Sequence, residues 1–293
     1  MAGVDARVGG RHSRPLGRGG PARAYLCYAI GLLVVYAGGL VAFWPPEGEQ
    51  PAATLFLVLM FAPTAGALLA KVAAQGRIQW GRPGLTMLLG LVPVLAVLGA
   101  YLLAGALGWV REDPDVLWAA LAGAPIAIFG AAISAVGEEI GWRGFLWPTL
   151  RQRNSFVRAS LVMFVVWWLY HVPLVILGWY GSLAGLPAFT VAVAGIVLFL
   201  GVITDRSRSL WPSVVTHGAW NGLVATSFAA TEGVERVPAF SGSEALLGEF
   251  GWLSAVVMAC VGLGSVWWHF SRPLADGAAA PRPTLVSARA NRP

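Results

Sequence analysis

Apolar residues in this chain fall into long continuous runs, not the alternating pattern of a half-buried strand or the single stripe of a soluble helix. Eight runs can be placed, at about 24–43, 53–72, 84–106, 116–138, 157–178, 187–204, 211–230 and 250–270. An α-helix needs about 20 apolar residues to cross the roughly 30 Å hydrocarbon core of a bilayer. Lipid offers no partner for backbone N–H and C=O groups, which selects helices that satisfy themselves. The pattern predicts an all-α, polytopic membrane protein of about eight transmembrane helices. The first run follows an Arg-rich stretch but is too long for a signal-peptide core. No small-residue cleavage site follows it before Trp44-Pro45-Pro46, so it reads as an uncleaved anchor.

Composition sharpens this. The chain of 293 residues is 57% apolar and 12% charged, against about 25% charged in soluble domains, and its mean hydropathy is +0.68. Little sequence is left for a separate soluble domain. The net charge of +6 is explained by where the basic residues stand. Arg7, Arg11, Arg14, Arg18 and Arg23 precede the first run. Alternate connections hold Lys71, Arg77 and Arg82, then Arg143, Arg151, Arg153 and Arg158, then Arg206 and Arg208; Arg272, Arg282, Arg289 and Arg292 follow the last run. That puts 18 of 20 basic residues on one side. The other connections hold Arg111 and Arg236 against nine acids: Glu47, Glu49, Glu112, Asp113, Asp115, Glu232, Glu235, Glu244 and Glu249. The positive-inside rule then places both termini in the cytoplasm of a cell (inner or plasma) membrane protein. The basic excess reflects topology and lipid contact, not nucleic-acid binding. Cys27 and Cys260 lie far apart in apolar runs and form neither a disulfide framework nor a metal spacing. The expected organisation is a disordered cytoplasmic tail (1–23), N-terminal transmembrane helices (24–115), a catalytic membrane core (116–230), an outer loop with the last helix (231–270) and a second disordered tail (271–293).

Against this apolar background a few polar residues stand out. Glu138 and Glu139 follow the uncharged run Val116 to Gly137. An ionisable group at membrane depth costs about 2.5–3.5 kcal/mol or more and usually marks function. Glu139 and Arg143 are spaced i, i+4 with the acid first, the favourable order for an ion pair. Glu138 points about 100° away, which leaves it to face a cavity as a general base. The plain alternative is that both glutamates cap the end of the span. His171 sits inside the fifth run, one turn after Trp167, with Pro173 following; a lone buried histidine is also a common core residue. In the seventh run His217 and Asn221 share one face after the helix-starting pair Trp211-Pro212, where they can equally form an interhelical clamp. Gly137 with Gly141, and Gly218 with Gly222, are small-xxx-small pairs that predict close contact between the fourth and seventh spans.

The ordered set Glu-Glu-x-x-x-Arg, aromatic-x-x-x-His and His-x-x-x-Asn resembles the CPBP family, the CAAX-protease and bacteriocin-processing intramembrane endopeptidases, also called Abi. The resemblance covers Val116 to about Ala230. The family's second motif usually begins with Phe; Trp167 stands there and reads as a packing residue. The resemblance implies hydrolysis of a peptide bond within the membrane. By motif position, Glu138 would activate a water with help from His171. His217 and Asn221 would donate to the oxyanion, and Glu139 and Arg143 would support the site. Relatives act on prenylated CAAX proteins or on bacterial peptides. The Ala/Gly/Arg/Trp-rich composition suggests a bacterial source, and a membrane-associated peptide or protein is the expected substrate.

Two chemistries stay open. Zinc held by Glu138, His171 and His217 would leave a position for water; the metal-free route is favoured because there is no His-Glu-x-x-His helix. A non-catalytic membrane protein using the same pocket for binding, as an immunity factor or scaffold, is the competing reading. A proton-coupled transporter is disfavoured, since no inverted repeat is visible. The charge pattern sets the glutamates near the cytoplasmic face and predicts substrate entry from that side.

Overall fold

A computed structural model describes residues 20–229 and 237–272. The expected disordered tails, apart from Gly20–Arg23 and Ser271–Arg272, lie outside these residues. Helix α1 (Gly20–Ala42) runs into an outer turn, and α2 (Ala53–Ala74) returns. A 3-10 turn (Leu85–Leu91) continues directly into α3 (Val92–Ala106). Next comes α4 (Pro114–Gly141), then a π turn (Trp142–Leu146) and the short α5 (Trp147–Arg151). The chain continues with α6 (Phe156–Ile176), α7 (Leu186–Ser207) and α8 (Trp211–Ala219), which opens into a π segment (Trp220–Phe228), and ends with α9 (Trp252–Ser271). The protein is an all-α polytopic membrane protein. Among the described residues one small sheet pairs β1 (Arg111–Glu112) antiparallel to β2 (Phe240–Ser241).

Helix starts follow local chemistry. Asp113 caps α4 by accepting the Val116 N–H at 3.1 Å, with Pro114 in the first turn, and Ser155 caps α6 through the Arg158 N–H. Large apolar side chains face outward, among them Leu33, Leu95, Ile126 (81% exposed), Phe129 and Leu161. In water such a surface would aggregate; in lipid it is the matching solvent.

Two features differ from the expected spans. Among the described residues seven helices are long and apolar enough to cross a bilayer, against the about eight expected. The remaining span, 211–230, is present as α8 and its π segment through Phe228. His217, Asn221 and several Ser, Thr and Gly residues make it too polar to face lipid, and it is packed among other helices. The fourth span also does not end at Glu138: the helical path runs on to Arg151. The two glutamates are therefore interior residues of a long helix, not its caps.

Contacts between connections respect the alternation of charge. Trp44 packs on Trp179 with ring centroids 4.7 Å apart, and β1 pairs with β2, all on the acidic side. On the basic side Leu210 N–H donates to the Trp80 carbonyl, and Arg206 binds carbonyls at the end of α9.

The glycine pairs divide differently from expectation. Gly218 and Gly222 do pack on α4: an added Cβ would come 3.0 Å from Ala132 and 2.7 Å from the Ala127 carbonyl oxygen. Gly137 and Gly141 instead face α2, where a Cβ would come 2.8 Å from Phe61 and 2.5 Å from Pro63. So α4 is gripped by α2 at the level of the glutamates and by α8 and its π segment nearer the N-terminal end of α4, at Ala127 and Ala132. Pro63 has no N–H, which strips the Leu59 carbonyl of its helical partner; the Tyr170 hydroxyl donates to that carbonyl and ties α6 to α2.

Candidate active site

Glu138 and Glu139 are 2% and 0% exposed, and Arg143 is 2% exposed. The expected ion pair is present, with Arg143 Nη1 donating to Glu139 Oε1 at 2.9 Å. The same oxygen lies 3.0 Å from His217 Nδ1. A carboxylate only accepts, so that nitrogen carries a proton and Nε2 is the His217 atom left for chemistry. His171 Nδ1 lies 2.8 Å from the Trp167 carbonyl, which likewise only accepts. His171 Nε2 is therefore its free basic nitrogen.

Glu138 is held more firmly than the sequence implied. Its Oε2 accepts from Trp142 Nε1 at 2.9 Å and from Trp167 Nε1 at 3.2 Å. Among the described residues its Oε1 has no protein partner. Trp167 is thus more than packing. Its indole also lies under the Arg143 guanidinium, 4.3 Å from ring centroid to Cζ, and its centroid is 5.9 Å from both the His171 and His217 rings. The usual Phe at that motif position has no N–H to offer. The motif spacing located Trp167, but only the structure shows what the extra nitrogen reaches.

A cavity of about 50 Å³, counted as space open to the centre of a water, adjoins this cluster. At about 10–15 Å³ per water it has room for a few solvent molecules. His171, His217 and Asn221 line it, with Trp167 and Trp220. Among the described residues the Asn221 side chain bonds no protein group, so its amide is free toward the cavity. Glu138 is not on the wall; it reaches the cavity through Trp167. The π turn after Glu139 and the π segment beginning at Trp220 are wide-turn features often found at functional sites. They lie beside the two motif helices here.

Tyr180, Phe189 and Glu249 complete the lining. Tyr180 and Glu249 come from connections on the acidic side. The cavity therefore leans toward that side, and not toward the basic side from which entry was expected. Sequence reasoning missed both residues, because neither forms a motif and both lie outside the apolar runs.

Among the described residues no three His, Cys, Asp or Glu side chains come close enough together to hold a metal ion. Glu138 Oε1 and both histidine Nε2 atoms are free to act as ligands, but the three side chains do not come within reach of one ion. As arranged, Glu138, His171 and His217 do not form the zinc site that was the alternative, and no step below runs through a metal.

Buried carboxylates, paired histidines and an amide inside a helical membrane bundle define a polytopic membrane protein with an acid–base cavity. Residues 120–223 match the family model described as type II CAAX prenyl endopeptidase Rce1-like, in agreement with the CPBP resemblance. A stretch of 48 residues is 38% identical to CAAX prenyl protease 2 of Methanococcus maripaludis, covering 16% of this chain and 18% of that protein. The chain thus aligns with less than a fifth of that relative's length.

Proposed function

We propose that the protein is an intramembrane endopeptidase that hydrolyses a peptide bond of a membrane-associated peptide or protein by a glutamate-activated water. The observation that carries this reading is the convergence on Trp167 of Glu138, His171 and His217, from three different helices. Glu138 Oε1 and His171 Nε2 are the two free basic positions. Because Glu138 lies behind Trp167 and off the cavity wall, this reading requires the indole to turn aside; a cavity water held by His171 would then lose a proton to Glu138 as its oxygen attacks the carbonyl carbon. His217 Nε2–H, in an imidazolium whose charge Glu139 balances, and the Asn221 amide would donate to the oxyanion. Glu138 would then return the proton to the leaving amine. Arg143 holds Glu139 and stacks on Trp167, so it supports both halves of the site. With the start of α1 and the end of α9 on the basic side, the charge pattern supports a cytoplasmic location for the tails.

The test is cleavage of a quenched fluorescent peptide library by purified protein in detergent, with Glu138→Ala alongside and each with and without chelator. Loss of activity by about a hundredfold or more in the variant, with no effect of chelator, is the expected result. Activity lost to chelator and restored by zinc would replace this mechanism with a metalloprotease. Absence of cleavage by folded wild-type protein would favour the non-catalytic binding reading.

A further inference from the structure

Glu249 lies outside the matched residues 120–223 and takes no part in the mechanism above. It nonetheless lines the same cavity as His171, His217 and Asn221. The fold brings it there deliberately. The Tyr101 hydroxyl accepts the Gly248 N–H at 2.7 Å, where Gly248 adopts φ +80°, and β2 anchors the segment to β1. On the other side Phe250 stacks on Phe189, with centroids 4.6 Å apart and planes within 8°.

The carboxyl is held in a fixed orientation. Trp220 Nε1 donates to Oε1 and the Tyr180 hydroxyl donates to Oε2 at 3.0 Å. Each oxygen keeps a lone pair free. No described Lys, Arg or His side chain forms an ion pair with it. Burial pushes its carboxyl above the usual range, and the Trp220 and Tyr180 hydrogen bonds pull it back. Around it stand the rings of Trp220, Tyr180 and Phe189. A half-buried carboxylate with no ion-pair partner is costly, and aromatic rings around a carboxylate suit an ammonium or guanidinium group. The connections on this side of the bundle are acidic as well, which raises the local concentration of cations.

Resting on the protease reading for what is cut, we propose that Glu249 forms a specificity subsite for a basic side chain, lysine or arginine, of the substrate peptide next to the scissile bond. The cavity places this subsite one side chain away from the histidines: Tyr180, which binds Glu249, has its ring 5.5 Å from that of His171. The basic group would complete the ion pair that the protein leaves open, and its aliphatic stem would lie along the rings.

The test uses the full chain in nanodiscs and peptides that differ at one position: Lys, its uncharged near-isostere norleucine, or Glu. That position is walked across both sides of the cleaved bond. Cleavage is measured with wild type and Glu249→Gln. Binding is measured separately with Glu138→Ala, by tryptophan fluorescence, so that it does not depend on turnover. At one position Lys should be preferred over norleucine by about tenfold or more. In Glu249→Gln that ratio should shrink to within about threefold. Lys bound tightly but never cleaved would remove the protease reading and leave the subsite standing. Equal binding of Lys and norleucine by Glu138→Ala, or a preference for Glu, would overturn the subsite. If Glu249→Gln does not fold, the Lys-to-norleucine comparison on the other two proteins decides the matter alone.

Discussion

Trp167 joins several functions in one side chain. Its N–H reaches Glu138, its face takes Arg143, and its edges meet His171 and His217. Trp167→Phe keeps the ring and removes the donor. A hydrogen bond to a charged group is worth about 1.5–3 kcal/mol, so peptide cleavage should fall by roughly tenfold or more, well short of the loss in Glu138→Ala. An unchanged rate would reduce Trp167 to packing. Arg143→Ala is the more severe change for the fold. It leaves Glu139 buried with only His217 on its bonded oxygen, and its other oxygen, Oε2, has no partner among the described residues. Breaking a buried pair from one side costs about 3–5 kcal/mol. A clearly lower thermal unfolding midpoint in detergent, alongside lost activity, is expected.

At the scale of elements, α4 is the organising helix, and its glycines set how near its neighbours come. Gly141→Ala would place a methyl group against Pro63 backbone, where nothing flexible can yield. Overpacking of this kind costs about 1–3 kcal/mol, and it would displace the turn carrying Glu138. Gly123→Ala meets nothing within 4 Å on the same helix and should be neutral or mildly stabilising, since Ala is the better helix former. Comparing unfolding midpoints of the two variants separates helix propensity from packing. Equal effects would mean that α2 and α4 are not in the contact described. The small-xxx-small spacing was legible in the chain, but not its partner. The pair at 137 and 141 marks a close contact without saying with what, because spacing encodes a face and carries no information about which helix lies on it.

At the scale of the whole molecule, the charge pattern assigns the ends of the bundle and the structure tilts the cavity toward the acidic one. In a background of Cys27→Ser and Cys260→Ser, Glu249→Cys should react with a membrane-impermeant thiol reagent added from the side opposite the termini. A reporter fused after Pro293 should register the basic side. Labelling of position 249 only from the side of the termini would mean that the cavity opens toward the basic side. It would also restore the cytoplasmic entry that the position of the glutamates suggested.

The sequence by itself determined the solvent and the near-regular crossings, and its charge pattern carries the expectation of sidedness. These depend on run length and on the placement of charge, both of which are one-dimensional. It also placed Glu139 on Arg143 and His217 on the face of Asn221, because i, i+4 neighbours are set by helix geometry alone. Tertiary structure decided the rest. Glu138 turns out to be bound by two indoles and set behind Trp167, the span carrying His217 is enclosed by its neighbours, and Glu249 arrives at the cavity from a loop between β2 and α9. Each of these depends on residues far apart in the chain meeting in a packed bundle. No local spacing records such a meeting.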